Sequence, residues 1–498
     1  MFLQSDLSVG FDFGSLNISG CFSADVEALK RVCASLSQSG ALSPIAVSAI
    51  RDCIVGKYVV QITRNADRVW INDLVSSYRH YINDHSGEVV SDFTSCYMES
   101  QSVNQSQLKR IYKKGYTQGH RTILEGISKF HPAAVYYQNS KEQVVVPPTE
   151  SVSKITAEDI NKYYMRYFES LKTRRVGIAF SGGLDSLYLV HMCLKNGIQP
   201  VLYHLNLTPN DKDASEDLLK ASKSAALLKL PLNIIELNRQ SVFEKVSFYI
   251  QEHINDISFS FVALREFIKE IDREGHIDVL LTGQNSDSFI NFGVTRANHP
   301  IEALLLFFYK KIFPKLFYHD RIGPVSRFLL RIGYSLRRIP VTEIPRSKVE
   351  FVGGLESDFH YFPCVQATGP CDLPKYSPES ADNYFRWMLC NKLTNHIGGN
   401  HSVVWSDDRT LRLNVLMPFS EGFFLQMGMQ QMASMSAILE PKKILKQANM
   451  ELSNTIQIAN ELFVDRNLST NTRPKPVGNF TDLSDPIDKF ILGLKLNN

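Results

Sequence analysis

The stretch "VGIAFSGGLDS" (176–186) places two glycines, an aspartate and two serines directly after a short apolar run. Gly182 and Gly183 have no Cβ, so the backbone can turn sharply and bring N–H groups against an anion. If a helix follows, its first N–H groups and the positive end of its dipole favour the same ligand. The pattern predicts a phosphate-binding loop between a strand and a helix.

The other side chains of this loop indicate a nucleotide that is bound together with a metal ion. Ser181 and Ser186 offer hydroxyl groups to phosphate oxygens, and the backbone amides of the loop, that of Leu184 included, complete the contact. Asp185 would repel phosphate directly, so its presence favours Mg²⁺ as a bridge between the carboxylate and the phosphates. We expect Asp185 to lie at a solvent-facing turn.

Two other roles fit parts of this loop. A Gly-Gly turn between a strand and a helix is common and can be purely structural. The residues "AFSGG" also resemble the nucleophile turn of hydrolases, which would make Ser181 a nucleophile. That role needs an acid and a histidine later in the chain, and no persuasive pair follows. Nor does the pattern G-x-x-x-x-G-K-[ST] occur. Phosphate binding is therefore the favoured role.

The elements around the loop predict a parallel sheet with crossover helices. From Val176 onward, short buried strands such as "PVLYHLN" and "LNIIEL" alternate with helical stretches. Residues 1–147 instead carry β-like runs, and a polar, proline-led linker (147–159) ends in a capping box formed by Thr156 and Asp159. We predict a β-rich domain over 1–150 and a larger α/β domain with helical additions over 155–498.

Composition excludes several classes of protein. The chain has 54 Lys and Arg against 51 Asp and Glu, a net charge of +3, so no bulk field favours nucleic acid. The first residues do not form a signal peptide, and no apolar run reaches the roughly 18 residues of a membrane span. The eight cysteines show no C-x-x-C pair or regular spacing, which is typical of reduced, buried thiols. These features predict a cytoplasmic protein.

The loop "SGGLDS" after a hydrophobic strand resembles the pyrophosphate loop of the N-type ATP pyrophosphatases, the PP-loop superfamily. Four further segments, in family order, are similar to the asparagine synthetase-like branch: 115–137, 416–427, 441–448 and 473–480. The resemblance implies that ATP is cleaved between its α- and β-phosphates, a carboxylate is adenylated and pyrophosphate is released. ATP and Mg²⁺ are the cofactors that it implies.

The resemblance also implies site residues outside the loop. "LLTGQNSDSFINFG" (280–293) occupies the place of the family's Ser-Gly-Glu-Gly-Ala-Asp-Glu motif, so Gly283 would allow close approach of a ligand and Asp287 would hold Mg²⁺ together with Asp185. Gln284 stands where the family has a glutamate, and it would act by hydrogen bonding. Lys442 would contact the α-phosphate, although the neighbouring Lys443 and Lys446 leave open which lysine points inward.

For the N-terminal part, the resemblance implies a degenerate N-terminal-nucleophile-hydrolase-like (αββα) domain. Glutamine-using members carry Cys at position 2, whereas this chain has Phe2, and Cys21 lies inside a strand-like run. We therefore expect no glutaminase activity, as in β-lactam synthetase and lasso-peptide cyclases.

Together these observations predict an ATP-dependent, amide-forming carbon–nitrogen ligase acting on a small-molecule or peptide carboxylate. Ammonia from a partner protein, an intramolecular amide or macrolactam closure, and an inactive nucleotide-binding regulator are the alternatives that stay open. The segment 304–340 carries eight Lys and Arg against one acid among many aromatics, which suits a membrane surface or an acidic peptide. We favour the simpler interpretation of helices with basic outer faces.

Overall fold

The computed structural model of the chain describes part of its 498 residues. The described residues are 4–11, 14–36, 42, 44–64, 67–98, 102–114, 117, 121–146, 155–207, 212–256, 259–286, 411–432 and 442–456.

The described N-terminal residues form two antiparallel sheets, three α-helices and a short 3-10 helix, Thr94–Met98. Their bounds are β1 Gln4–Phe11, β2 Gly14–Ala24, α1 Val26–Leu36, α2 Pro44–Asp52, β3 Ile54–Arg64, β4 Asp67–Asn72, β5 Tyr81–Asn83, β6 Val89–Val90, α3 Gln105–Lys114, β7 Ile127–Lys129, β8 Ala134–Tyr137 and β9 Glu142–Val145. The larger sheet has the order β1-β2-β3-β4-β8-β9, and the smaller one has the order β6-β5-β7. Their identification as a degenerate hydrolase-like domain stays a prediction.

The capping box predicted at the linker is present at the start of α4 (Ala157–Glu169). The Thr156 hydroxyl accepts a hydrogen bond from the Asp159 amide at 3.2 Å, and the Asp159 carboxylate accepts one from the Thr156 amide at 2.9 Å. This reciprocal cap satisfies N–H groups that a helix start leaves unpaired. The apolar face of α4 is buried as predicted, with Ile160, Tyr164 and Tyr167 in the core.

The residues after the linker form the predicted parallel sheet with helices around it. The remaining bounds are β10 Val176–Ala179, α5 Leu184–Lys195, β11 Val201–Asn206, α6 Lys212–Leu228, β12 Leu232–Glu236, α7 Arg239–Glu244, α8 Val246–His253, α9 Phe259–Glu274, β13 Val279–Thr282, β14 Asn414–Leu416, α10 Gly422–Met432 and α11 Lys443–Ile456. The strand order is β12-β11-β10-β13-β14, and every pairing is parallel. A mixed α/β architecture with a parallel sheet is thereby confirmed.

Two hydrophobic clusters hold these elements together. The smaller lies between the larger antiparallel sheet and helices α1 and α2. The larger contains side chains from both parts of the chain, from Cys21 through the parallel sheet to Leu452. Within the described ranges, every helix is too short or too polar to cross a membrane.

Candidate functional site

The central strand β10, its neighbour β13 and the edge strand β14 bring three loops to one end of the parallel sheet. Ala179 of β10 pairs with Thr282 of β13, and Leu281 pairs with Leu416 of β14. The loops that follow these strands, 180–183, 283–286 and 417–421, therefore start side by side. The carboxyl end of parallel strands is where ligands bind in open α/β sheets.

The loop after β10 requires glycine at position 182. Gly182 has φ +73°, in the left-handed region that residues with a Cβ avoid. A Cβ there would also lie 2.9 Å from the Ala221 amide nitrogen and 3.1 Å from its Cα, both backbone atoms of α6. The sharp turn and the close approach of α6 both depend on the missing side chain.

The start of α5 is open to a ligand. Gly183 is the N-cap residue, and no side chain caps this helix end. The two loop serines lie beside it: the Ser186 hydroxyl donates to the Gly183 carbonyl at 3.0 Å, and the Gly183 amide donates to the Ser181 hydroxyl at 3.3 Å. Ser181 and Ser186 are themselves joined, with their Oγ atoms 3.5 Å apart. A helix start with adjacent hydroxyls and no side-chain cap suits an anion such as phosphate.

The loop after β13 closes against the first loop. A Cβ on Gly283 would lie 3.0 Å from the Asp185 Cβ, so glycine allows the two loops to touch. The Gln284 amide donates to the Thr282 hydroxyl at 3.3 Å, and Asn285 adopts φ +69°. Asn285 donates from Nδ2 to the Ser420 hydroxyl at 2.8 Å, which ties this loop to the one after β14.

Asp185 is held from two sides. The Lys442 ammonium lies 2.6 Å from Asp185 Oδ2, and the Ser286 hydroxyl donates to Oδ1 at 2.8 Å. The side chains of Lys442 and Asp185 are only 22 % and 19 % exposed. Asp185 is therefore half-buried and does not fully face solvent as expected, because Lys442 and Ser286 cover part of its side chain.

The packing of α11 against α4 and α5 positions Lys442 beside the loop. Lys442 directly precedes α11, which packs on α5 through His191 Nδ1 and Asn449 Oδ1, 2.5 Å apart, and on α4 through the Asn161 side chain and the Ala448 carbonyl at 3.1 Å. Lys443 and Lys446 are exposed. Of these three lysines, Lys442 is the one that reaches the loop.

The described residues bring together most, but not all, of the predicted site. The loop 181–186, Gly283, Gln284 and Lys442 lie within them, whereas Asp287, Phe2, and the segments 304–340 and 473–480 lie outside. Ser286 and Asn285 belong to the site but were not predicted from the sequence. The sequence could have indicated both residues, because their polar side chains follow the buried strand β13 just as Ser181 follows β10.

The residues of this end of the sheet fit triphosphate and a divalent cation. The uncapped helix start and the two serines suit phosphate oxygens, while the Asp185 carboxylate is the hard oxygen ligand that Mg²⁺ prefers. Within the described residues, no group of three or more His, Cys, Asp and Glu could hold a metal by itself. A cation here would need phosphate oxygens as additional ligands.

Cys21 is unsuited to nucleophilic chemistry in this fold. It lies in β2 with 5 % of its surface exposed. Burial raises the pKa of its thiol, which outweighs the opposing charge of Lys57. A raised pKa keeps the thiol protonated and unreactive. The burial predicted from the sequence for Cys21 is confirmed.

No known family model matches this sequence, and no curated protein matches it either. Solved structures give distant similarities to part of the chain. U34-tRNA thiolase NcsA from Methanococcus maripaludis is 16 % identical with a TM-score of 0.22, covering 40 % of this chain and 63 %, less than two thirds, of the thiolase.

Two synthetases show sequence identities and TM-scores similar to those of the thiolase. The NH3-dependent NAD synthetase from Campylobacter jejuni is 16 % identical over 44 % of this chain and 100 % of its own, with a TM-score of 0.23. The glutamine-dependent NAD+ synthetase from Acinetobacter baumannii is 14 % identical over 38 % of this chain and 43 % of its own, with a TM-score of 0.21. Similarity at this level carries no functional argument, so function has to be inferred from the geometry of the site.

Proposed function

We propose that this protein is an ATP-dependent ligase that adenylates a carboxylate, releases pyrophosphate and forms an amide with an amine. The observation that carries the proposal is the convergence of the glycine-serine loop, Asp185 and Lys442 at the carboxyl end of the parallel sheet. Lys442 lies 257 positions beyond Asp185 in the sequence, yet its ammonium is 2.6 Å from that carboxylate. A loop with a purely structural role would not need a half-buried carboxylate paired with a lysine beside it.

Each group has a role in binding the triphosphate. The amides at the start of α5, with Ser181 and Ser186, would bind the β- and γ-phosphates. Asp185 would hold Mg²⁺, which when bound offsets the negative charge of the departing pyrophosphate. Lys442 would turn from Asp185 to the α-phosphate as that carboxylate gains its metal ion, because its flexible stem allows the ammonium to move. The resemblance implies Asp287 as a second carboxylate for the cation.

The proposed reaction has two steps. A substrate carboxylate oxygen attacks the α-phosphorus, the bond to the oxygen that bridges the α- and β-phosphates breaks, and pyrophosphate leaves. An amine nitrogen then attacks the acyl carbon, AMP leaves with the former carboxylate oxygen, and the nitrogen loses a proton. Gln284 keeps an acceptor oxygen and an amide donor but cannot take up that proton as a glutamate would.

The test is to identify which bond of ATP is broken. ATP labelled at the α-phosphate is incubated with the protein, Mg²⁺ and a panel of carboxylates, and the products are separated. We expect labelled AMP, with Asp185→Asn at least about a hundredfold slower because one charged contact to the metal is lost. Labelled ADP would instead indicate phosphoryl transfer and would contradict the proposal.

A further variant separates this proposal from the hydrolase role of Ser181. Ser181→Ala removes one hydroxyl from the phosphate site, so AMP formation should slow but persist. If Ser181→Ala abolished all turnover through the loss of a covalent enzyme adduct, while Asp185→Asn stayed active, the nucleophile interpretation would replace ours.

A further inference from the structure

A cavity lies between the antiparallel sheet and the segment that follows β14. Its volume is about 340 Å³, and its walls come from the start of β3, the turn at 73–77, Tyr163 of α4 and residues 417–426. None of the loop residues 181–186 lines it. This size is at the lower end for small-molecule sites.

The cavity contains a carboxyl group that the described residues leave nearly unsatisfied. Glu421 is 9 % exposed, and within the described part of the chain it accepts one hydrogen bond, from the Gly56 amide to Oε1 at 3.1 Å. A carboxylate can accept about four hydrogen bonds. Burying one with a single donor is costly unless another partner is present.

Two phenol groups share the cavity with Glu421. Tyr58 of β3 and Tyr163 both line it, and their hydroxyls have no hydrogen-bond partner among the described residues. The Tyr163 ring stacks on Phe423 with ring centres 4.5 Å apart, so its position is fixed by packing. Leu74 and Val75 give the wall an apolar part.

The other buried charged groups of the wall have partners, and the Asp52 carboxylate of the wall is exposed to solvent. Arg51 donates to the carbonyls of Asn72, Ala134 and Val146, and the Asp73 carboxylate accepts from the amides of Tyr58, Val75 and Ser77. The Lys57 ammonium lies over the Tyr78 ring, 5.6 Å from its centre. Glu421 is therefore the buried acid of this wall that has room for a cationic partner.

We propose that this cavity binds a small organic molecule through its primary ammonium group, with Glu421 as the counter-charge and the hydroxyls of Tyr58 and Tyr163 as further hydrogen-bonding groups. An ammonium has three donors, which match one carboxylate and two phenol oxygens. Aromatic faces also attract cations in a desolvated site. An anion would meet Glu421 and Asp73 together, so anionic ligands are disfavoured. Burial raises the pKa of Glu421, and a bound ammonium would offset that penalty.

The test is a calorimetric titration of the full-length protein, without ATP, using ethanolamine as the probe. Two matched probes serve as controls. Ethylene glycol has a hydroxyl in place of the ammonium group, and glycolate has a carboxylate in place of the aminomethyl group. We expect ethanolamine to bind at least tenfold more tightly than either. Equal binding of ethylene glycol, or no binding of ethanolamine, would overturn the proposal.

Variants assign the binding to Glu421. Glu421→Gln keeps an oxygen for the Gly56 amide but removes the charge, and we expect at least a tenfold loss of ethanolamine affinity. Tyr163→Phe keeps the ring that stacks on Phe423 and should weaken binding several-fold. The control is Asp52→Asn, an exposed carboxylate that also lines the cavity, and it should weaken binding far less than Glu421→Gln because solvent screens an exposed charge. Unchanged binding in Glu421→Gln, or a loss confined to Asp52→Asn, would contradict the assignment.

This proposal does not depend on the ligase activity. Asp185→Asn, which changes the phosphate loop, should keep ethanolamine binding even though it impairs ATP cleavage. A loss of ethanolamine binding in Asp185→Asn would mean that the probe binds at the phosphate loop, and the cavity would be excluded as its site.

Discussion

At the scale of single residues, Lys442 and Lys443 form a matched pair. Lys442 contacts Asp185, whereas its neighbour is exposed at the start of α11. We predict that Lys442→Ala lowers the rate of carboxylate-dependent ATP cleavage at least about a hundredfold, since a charged group that meets the transferring phosphate is lost. Lys443→Ala should retain the wild-type rate. Similar losses in both variants would mean that helix α11, and not the Lys442 ammonium, matters.

Glu421 gives a residue-scale prediction about pH and stability. Desolvation raises its pKa in the folded state, and the nearby Asp73 charge adds to the shift. Above the ordinary glutamate pKa of about 4.3, the folded state therefore binds more protons than the unfolded state, so this group makes the free energy of unfolding fall as pH rises. Glu421→Gln removes that dependence.

Denaturant titrations at several pH values measure this effect. The stability of Glu421→Gln relative to wild type should increase from about pH 4 towards about pH 8, because the wild-type protein alone loses stability as its buried acid is forced to ionise. A constant relative stability would mean that the pKa of Glu421 in the folded protein is close to normal, and a decrease over this range would mean that it is lowered; either result would contradict the prediction.

At the scale of elements, the turn between β10 and α5 depends on Gly182. An alanine there would combine a left-handed backbone, about 1–2 kcal/mol, with contacts to the α6 backbone that add about 1–3 kcal/mol. Gly197, just after α5, has φ +74°, and a Cβ there would meet no described atom within 4 Å, so Gly197→Ala isolates the backbone cost. We predict that Gly182→Ala loses more unfolding free energy than Gly197→Ala, as measured by denaturation. Calorimetry should show weaker ATP binding in Gly182→Ala and unchanged ATP binding in Gly197→Ala.

Equal stability losses in these two alanine variants would show that α6 yields to the added methyl group. Retained ATP affinity in Gly182→Ala would further mean that the turn tolerates a relaxed backbone. Either result would contradict the dependence of this loop on glycine.

The sequence predicted the helices and strands around the loop, because these elements depend on residues that are close together in the chain. The strand–turn–helix unit 176–195 and the cap of α4 depend on nearby residues, whose apolar spacing and side-chain hydrogen bonds are visible in the sequence. Strand β14 could not be predicted in this way. It has three residues, and it joins the sheet beside β13 more than a hundred positions later, so only tertiary pairing defines it.

The candidate site also combines residues that local sequence predicts with residues that only tertiary packing brings together. Glycines and serines within one turn predict a phosphate loop by themselves. The choice of Lys442 over Lys443 and Lys446 depends on how α11 packs against α4 and α5, which spacing alone does not determine. The partial burial of Asp185 and the cavity beside Glu421 likewise arise where distant segments meet.

At the scale of the whole molecule, one hydrophobic cluster joins the two predicted domains. Tyr164 of α4 donates to the Pro418 carbonyl at 2.9 Å, and Gly56 of β3 donates to Glu421. Because the larger cluster spans both parts, we predict that they unfold together. Hydrogen exchange followed by mass spectrometry should give β3 and β10 similar opening free energies. A separate, earlier opening of β3 would mean that the two parts are independent units.

Adenylation of a carboxylate at the phosphate loop is tested most directly by pyrophosphate exchange. Labelled pyrophosphate is incubated with the protein, ATP, Mg²⁺ and one carboxylate at a time, including aspartate, glutamate, uronic acids and carboxylate-bearing peptides. We predict that label enters ATP only when the correct carboxylate is present, and that Asp185→Asn and Lys442→Ala abolish the exchange while Lys443→Ala does not. Tight ATP binding without exchange for any carboxylate would contradict adenylation and favour a nucleotide-binding regulator.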